Sequence, residues 1–225
     1  MTTSTSLRFA LLITAACGFL DSYTYLSRGG VFANAQTGNV ILLALNLSEQ
    51  HWYQASGHLW PILAFLVGVV LAVHVKAGRF DHLLVYPIRV TMALQVSILV
   101  VIGFVPTSVP HSFVTIPISF ITAMQIELFR NIGDLNYIAV ATTGNLMRLV
   151  EAGYGVTVDR APDARKALTV YGRVVGAFAG GALVGAVCTQ VMGGRAAWVP
   201  AGFLAVTLLL FVIDERTDPS PTVGS

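Results

Sequence analysis

Six stretches of this chain stay apolar for long enough to cross a bilayer, and that constrains its fold more than any other feature. A hydrocarbon core of about 30 Å takes about 20 helical residues. Suitable runs lie near Leu7–Leu26, Leu59–Ala77, Leu84–Val105, Ser112–Phe129, Leu168–Val191 and Ala196–Ile213. Only 11% of the 225 residues are charged, less than half the roughly 25% of soluble domains. A mean hydropathy of +0.74 agrees. These values predict an all-α membrane protein whose outer surface meets lipid. The net charge of +2 gives no reason to expect a nucleic-acid partner.

Arg8 followed by the apolar run Phe9–Leu20 has the outline of a signal peptide, and Thr14-Ala15-Ala16-Cys17 loosely resembles a lipoprotein cleavage site. The run continues past the cysteine, however, and an equivalent segment recurs later in the chain, so it is read as a span. Cys17 and Cys188 both sit in apolar runs and are expected to be buried thiols. The polar tail from Asp214 to Ser225 holds two prolines and is expected to be disordered and cytoplasmic.

Two shorter runs remain, Val31–Leu47 and Tyr137–Val150. They share a motif: Gln36-Thr37-Gly38-Asn39-Val40 in the first, Thr142-Thr143-Gly144-Asn145-Leu146 in the second, 106 residues apart. The same offset pairs Asp21 with Glu127, Tyr23 with Phe129, Leu43 with Leu149 and Arg89 with Arg195, and a two-residue shift pairs Gly68 with Gly176. An internal duplication follows, with repeats at 1–106 and 107–213. The helical part of the first short run, Asn39 to Leu47, is about 14 Å long at 1.5 Å per residue, half a bilayer.

Charge placement decides whether these short runs cross. With eight crossings the 13 Lys and Arg split seven against six, which is no bias. If each short run dips in and returns, eleven share one side (Arg8, Lys76, Arg79, Arg89, Arg130, Arg148, Arg160, Arg165, Lys166, Arg173 and Arg216), and only Arg28 and Arg195 face the other. The positive-inside rule favours the second layout. It gives six transmembrane helices plus two re-entrant half-helices, arranged as inverted repeats, with both termini in the cytoplasm. Trp52, Tyr53 and Trp60 then fall at the outer interface.

Inverted repeats with half-membrane helices place a site near the midplane. In each motif the threonine is expected to cap the half-helix, the glycine to allow a close approach, and the asparagine to offer donors and an acceptor to a ligand. Helix N-termini add partial positive charge, suited to a small anion or a dipolar solute. Gln36, Thr37, Gly38, Asn39, Thr142, Thr143, Gly144 and Asn145 are the candidate substrate-binding residues, with Gln125 a polar neighbour. The competing reading is that Thr-Gly-Asn only caps and packs the half-helices. Asp21 and Glu127, acids inside spans, are candidates for proton or ion coupling, although Arg130 stands at ion-pair spacing from Glu127. Gly172, Gly176 and Gly180, with Gly181 and Gly185 beside them, point to close helix packing between repeats or in a homo-oligomer. His51, His58, His74, His82 and His111 are scattered, with no metal-ligand spacing, nucleophile–base pair or cofactor fingerprint. No enzyme activity, metal or cofactor is expected.

Gly18-Phe19-Leu20-Asp21, Gly30-Val31-Phe32-Ala33-Asn34 and Gln36-Thr37-Gly38-Asn39, followed later by Ala123-Met124-Gln125 and Thr143-Gly144-Asn145, resemble the signature of the YoaK-type bacterial membrane proteins over nearly the whole chain. Glu127 departs from that pattern, which more often has asparagine there. The resemblance implies a multi-pass inner-membrane protein and brings no substrate. The resulting expectation is a small-solute or ion transporter or channel, the alternative being a non-transporting scaffold or sensor.

Overall fold

A computed structural model describes residues 7–79, 86–132 and 134–217. The helices are α1 (Leu7–Ser27), α2 (Gln36–Ser48), α3 (Trp52–Lys76), α4 (Pro87–Ile102), α5 (Ser112–Leu128), α6 (Thr142–Thr157), α7 (Ala164–Met192) and α8 (Trp198–Thr217). A 3₁₀ turn, Gly193–Ala197, joins the last two. A two-residue antiparallel ribbon, β1 (Asn131–Ile132) with β2 (Leu135–Asn136), was not expected. The polar tail differs in part from expectation: Asp214–Thr217 continue α8, because the first proline after Ile213 is Pro219. Positions 218–225 and the expected start of the third span at Leu84 lie outside the described residues.

Side-chain contacts fix the direction of each helix. At one end, here the distal end, Arg28 donates to the carbonyls of Val105 and Pro106 at 2.9 and 3.0 Å. Tyr23 donates to Gly194 O, and Trp198 Nε1 to Val100 O. The ends of α1, α4 and α7 therefore meet the starts of α5 and α8 there. At the proximal end, Phe9 meets Phe129 edge-on and Phe211 at a tilt, with ring centroids 4.6 and 5.7 Å apart. Lys76 pairs with Glu127 at 3.1 Å, which brings the end of α3 to the end of α5. Six helices thus run the length of the bundle.

α2 does not, and α6, although as long as α4 at 16 residues, starts beside α2. The backbone leaving α1 at the distal end turns back, and Asn34 reaches Cys17 O at the middle of α1 before α2 begins. A turn at Glu49–His51 then hands α2 directly to α3 at the distal end. At 1.5 Å per residue, α2 and α6 are about 20 and 24 Å long. Both exceed the expected half-bilayer length: each starts three residues ahead of its asparagine, and α6 also runs on past the expected end at Val150 to Thr157.

α1 and α5 form the centre, with their middles wholly buried. α1 packs on α7, α5 on α3, α2 on α3, α6 on α7, and α4 on α8. Exchanging α1–α4 with α5–α8 leaves this list of partners unchanged. Outer faces carry exposed Leu66, Val67 and Val70 on α3, and Leu183, Val187 and Val191 on α7, as a lipid-facing surface requires. Trp52 and Tyr53 are also exposed, and both cysteines are free, Cys17 buried and Cys188 partly so.

Close approach is built from small residues, though not all those expected. A methyl added at Gly18 would run into Phe178 O, and one at Gly181 into Ala15 O. Gly68 abuts Phe120 O in the same way. Gly176, the sequence partner of Gly68, and Gly180 meet nothing within 4 Å. Gly181 takes the matching role, 113 residues after Gly68, because α7 starts later relative to its repeat than α3 does. Gly181→Leu is therefore expected to destabilise the fold by about 2–3 kcal/mol through overpacking, and Gly176→Leu by under about 0.5 kcal/mol. Thermal unfolding of the two variants in detergent checks the difference.

Candidate functional site

The α1–α2 connection runs through the interior, where every backbone polar group needs a partner. Side chains of α1, α2 and α5 supply several of them. Asp21 Oδ1 accepts from the N–H groups of Asn34 and Ala35 at 2.8 and 3.2 Å. Thr24 Oγ1 accepts from Ala33 N, and Ser119 of α5 donates to Ala33 O. Asn39 closes the loop: its Oδ1 accepts from Phe32 N at 3.0 Å, and its Nδ2 donates to Phe32 O at 2.6 Å.

The second connection reuses part of this device. Asn145 Nδ2 donates to Ile138 O at 2.9 Å, the same seven-residue reach. Its Oδ1 has no partner among the described residues. Asn39 and Asn145 are buried and committed to their own loops, so they do not present their amides to a cavity as expected. The capping expectation is corrected as well. Ala35 and Ala141 occupy the N-cap positions without a side-chain cap, and Thr37 and Thr143 fall second in their helices. Gly38 packs on the Phe32 ring, and Gly144 faces open space.

The two helix starts nevertheless meet. A cleft of about 540 Å³ lies between them. Gln36 and Thr37 line one side, Thr142 and Thr143 the other. Phe65 of α3 and Phe178 of α7 form further walls, and they too stand 113 residues apart. Asp21 and Asn34 reach into the cleft from α1 and its connection. Both are buried, at 4% and 1% exposure.

Three polar atoms at this cleft lack a partner among the described residues: Asp21 Oδ2, Asn34 Oδ1 and Thr142 Oγ1. Asn34 Nδ2 donates to Cys17 O at 3.1 Å, which fixes the orientation of that amide and leaves its oxygen unpaired. A buried polar group without a partner costs roughly 1–3 kcal/mol, so the arrangement calls for a ligand or water.

Glu127 is elsewhere. It pairs with Lys76 at 3.1 Å and with Arg130 at 3.2 Å, at the proximal end of the bundle. The Arg130 pairing was legible from spacing, whereas Lys76 was not. Gln125 is fully buried but does not line the cleft, and both its amide atoms lack partners among the described residues. It continues a buried polar face of α5 formed by Thr115, Ser119 and Thr122, where Thr122 accepts from Gln95 of α4 and Ser119 donates to Ala33 O. Sequence reasoning missed that face and also missed Asn34. A three- to four-residue spacing of polar groups within the fourth apolar run was the available signal. Among the described residues no cluster of His, Cys, Asp and Glu is suited to a metal ion.

The asparagine clamps give a direct prediction. Interhelical hydrogen bonds in membranes contribute about 0.6–1.7 kcal/mol each. Asn39→Leu removes two bonds to Phe32 and one to Gln36, so a loss of about 2–4 kcal/mol is expected. Asn145→Leu removes one bond, and about 1 kcal/mol is expected. Comparing the two melting curves in detergent tests this order.

Comparison with known proteins places these features. No solved structure matches the chain. It is 28% identical over 145 residues to the UPF0700 transmembrane protein YoaK of Bacillus subtilis (strain 168), covering 62% of this chain and 64% of that protein. The chain thus spans a little under two thirds of its curated relative's length. The family described as "Protein of unknown function (DUF1275)" matches residues 9–210. From Phe9 in the first central helix to Leu210 in the last, the chain belongs to the DUF1275 family, as a transmembrane protein like YoaK.

Proposed function

We propose that this protein moves a small solute or ion across the bacterial inner membrane, through the cleft between the two half-depth helices. The observation that carries this reading is a buried carboxylate, Asp21, whose Oδ2 has no partner among the described residues and lies beside a cleft at bundle mid-height. An intramembrane acid facing a cavity is costly unless it is used. Irregular backbone at that depth is tolerated when it lines a cavity. Asp21 is the coupling residue in this reading, and Glu127 is a structural ion pair. Gln36, Thr37, Thr142 and Thr143 line the path, while Asn39 and Asn145 hold the two openings in shape.

The layout that goes with it is six crossings and two re-entrant helices in inverted repeats. The helix directions support it, as does the symmetric exchange of packing partners. Those directions put Arg28 and Arg195 at the distal end and the other eleven basic residues toward the proximal end. The positive-inside rule then turns the proximal end, with both termini, to the cytoplasm.

Thiol labelling tests the path. In a background with Cys17 and Cys188 replaced by alanine, Thr37→Cys and Thr143→Cys are reacted with a membrane-impermeant maleimide in sealed vesicles of each orientation. Labelling of both positions from at least one face, at ten times the rate of a lipid-facing Val187→Cys control, is expected. No labelling from either face means a dry, closed centre and a non-transporting module.

A further inference from the structure

The chemistry of the cleft selects a class of solute. We infer that it binds a small organic cation bearing a protonated amine, with the ammonium held by Asp21 and Asn34. The inference rests on the cleft being the solute site.

Charge comes first. Asp21 is the one ionisable residue among those lining the cleft. Its Oδ1 is occupied by two backbone N–H groups, so Oδ2 remains for a ligand. Hydrogen-bond polarity agrees. The carboxylate oxygen and the Asn34 carbonyl oxygen are acceptors with no donor of their own, and the Thr142 hydroxyl can accept as well. A ligand must therefore bring donors, and an anion would meet a carboxylate at its own charge. A primary ammonium carries three donors, and three buried oxygens at the cleft lack a partner among the described residues.

The walls separate an organic cation from a metal ion. Phe32, Phe65 and Phe178 are all partly buried and face this cleft. Aromatic faces attract ammonium groups and alkyl carbons. Calcium takes 6–8 oxygen ligands and magnesium needs near-octahedral coordination, whereas this cleft has a single carboxylate, and only three of its buried oxygens lack a partner among the described residues. A volume of about 540 Å³ is in the range of small-molecule sites.

The test compares three probes of matched shape and different charge: benzylammonium, benzyl alcohol and benzoate. Binding to the full-length protein in lipid nanodiscs is measured by calorimetry, with thermal unfolding as a second readout. Benzylammonium is expected to bind at least tenfold more tightly than either analogue. Asp21→Asn is expected to weaken it tenfold or more, and Thr142→Val three- to tenfold. Should Asp21→Asn fail to fold, Thr142→Val and Phe178→Ala lie outside the loop network and must each weaken benzylammonium selectively. Equal binding of the alcohol or benzoate, or unchanged affinity in the folded variants, overturns the inference. Sodium or potassium displacing benzylammonium at equal concentration does so too, because the site would then be one for inorganic cations. If the cleft thiols are labelled while no amine binds, only the solute class falls. If labelling fails as well, the cleft is not a solute path at all.

Discussion

Backbone at membrane depth has no water to turn to, and the fold is arranged around that shortage. Between Arg28 and Ala35 the chain makes no helix, yet it passes into the interior as far as the middle of α1. Asp21, Thr24, Asn39 and Ser119 each answer a backbone group of this stretch. Without those partners each exposed N–H or C=O would cost several kcal/mol in hydrocarbon. The polar residues of α1 are therefore what allow α2 to begin at mid-height. The cleft exists because α2 begins there.

The same economy explains why α1 and α5 are central. Their buried faces combine Thr14, Cys17 and Asp21 in one helix, and Thr115, Ser119 and Thr122 in the other, with small and aliphatic residues between them. Helices of that composition satisfy hydroxyls locally, as Thr14 does by donating to Ala10 O. They also let α7 and α3 approach until backbone meets backbone at Gly181 and Gly68. Each central helix is packed by the third helix of the opposite half, so neither half buries its own centre alone. Arg28 is locked at the distal end on two carbonyls, and it ties the α1 terminus to the α4–α5 connection.

Much of this was legible in the sequence, and the exceptions share a cause. Hydropathy located all six long helices, since apolar length is a local property. Residues 36–39 and 142–145 marked the two short helices because the motif repeats. What failed was the assignment of atoms. Asn39 and Thr37 stand two positions apart, and only the fold shows that one turns back to Phe32 while the other lines the cleft. Asn34 carried no signal of its own, since nothing local indicates that its amide meets Cys17 O. Gly176 and Gly181 both read as packing residues, and the rotation of α7 decides between them.

Asp21 and Glu127 show how one offset yields two environments. α1 continues six residues beyond Asp21 to Ser27, so its carboxylate lies almost two turns inside the bundle. α5 ends at Leu128, one residue beyond Glu127, which leaves that carboxylate at the proximal end within reach of Lys76 and Arg130. Two carboxylates facing each other across one cleft would repel and push each other toward the neutral form. The early stop of α5 removes that conflict. It also leaves the two half-helix starts unlike: Asp21 serves the backbone leading into α2, while among the described residues no carboxylate reaches the start of α6. The formal negative charge of the cleft therefore lies on its α1 side. A near-symmetric scaffold thereby carries an asymmetric cleft, with its one ionisable lining residue on α1.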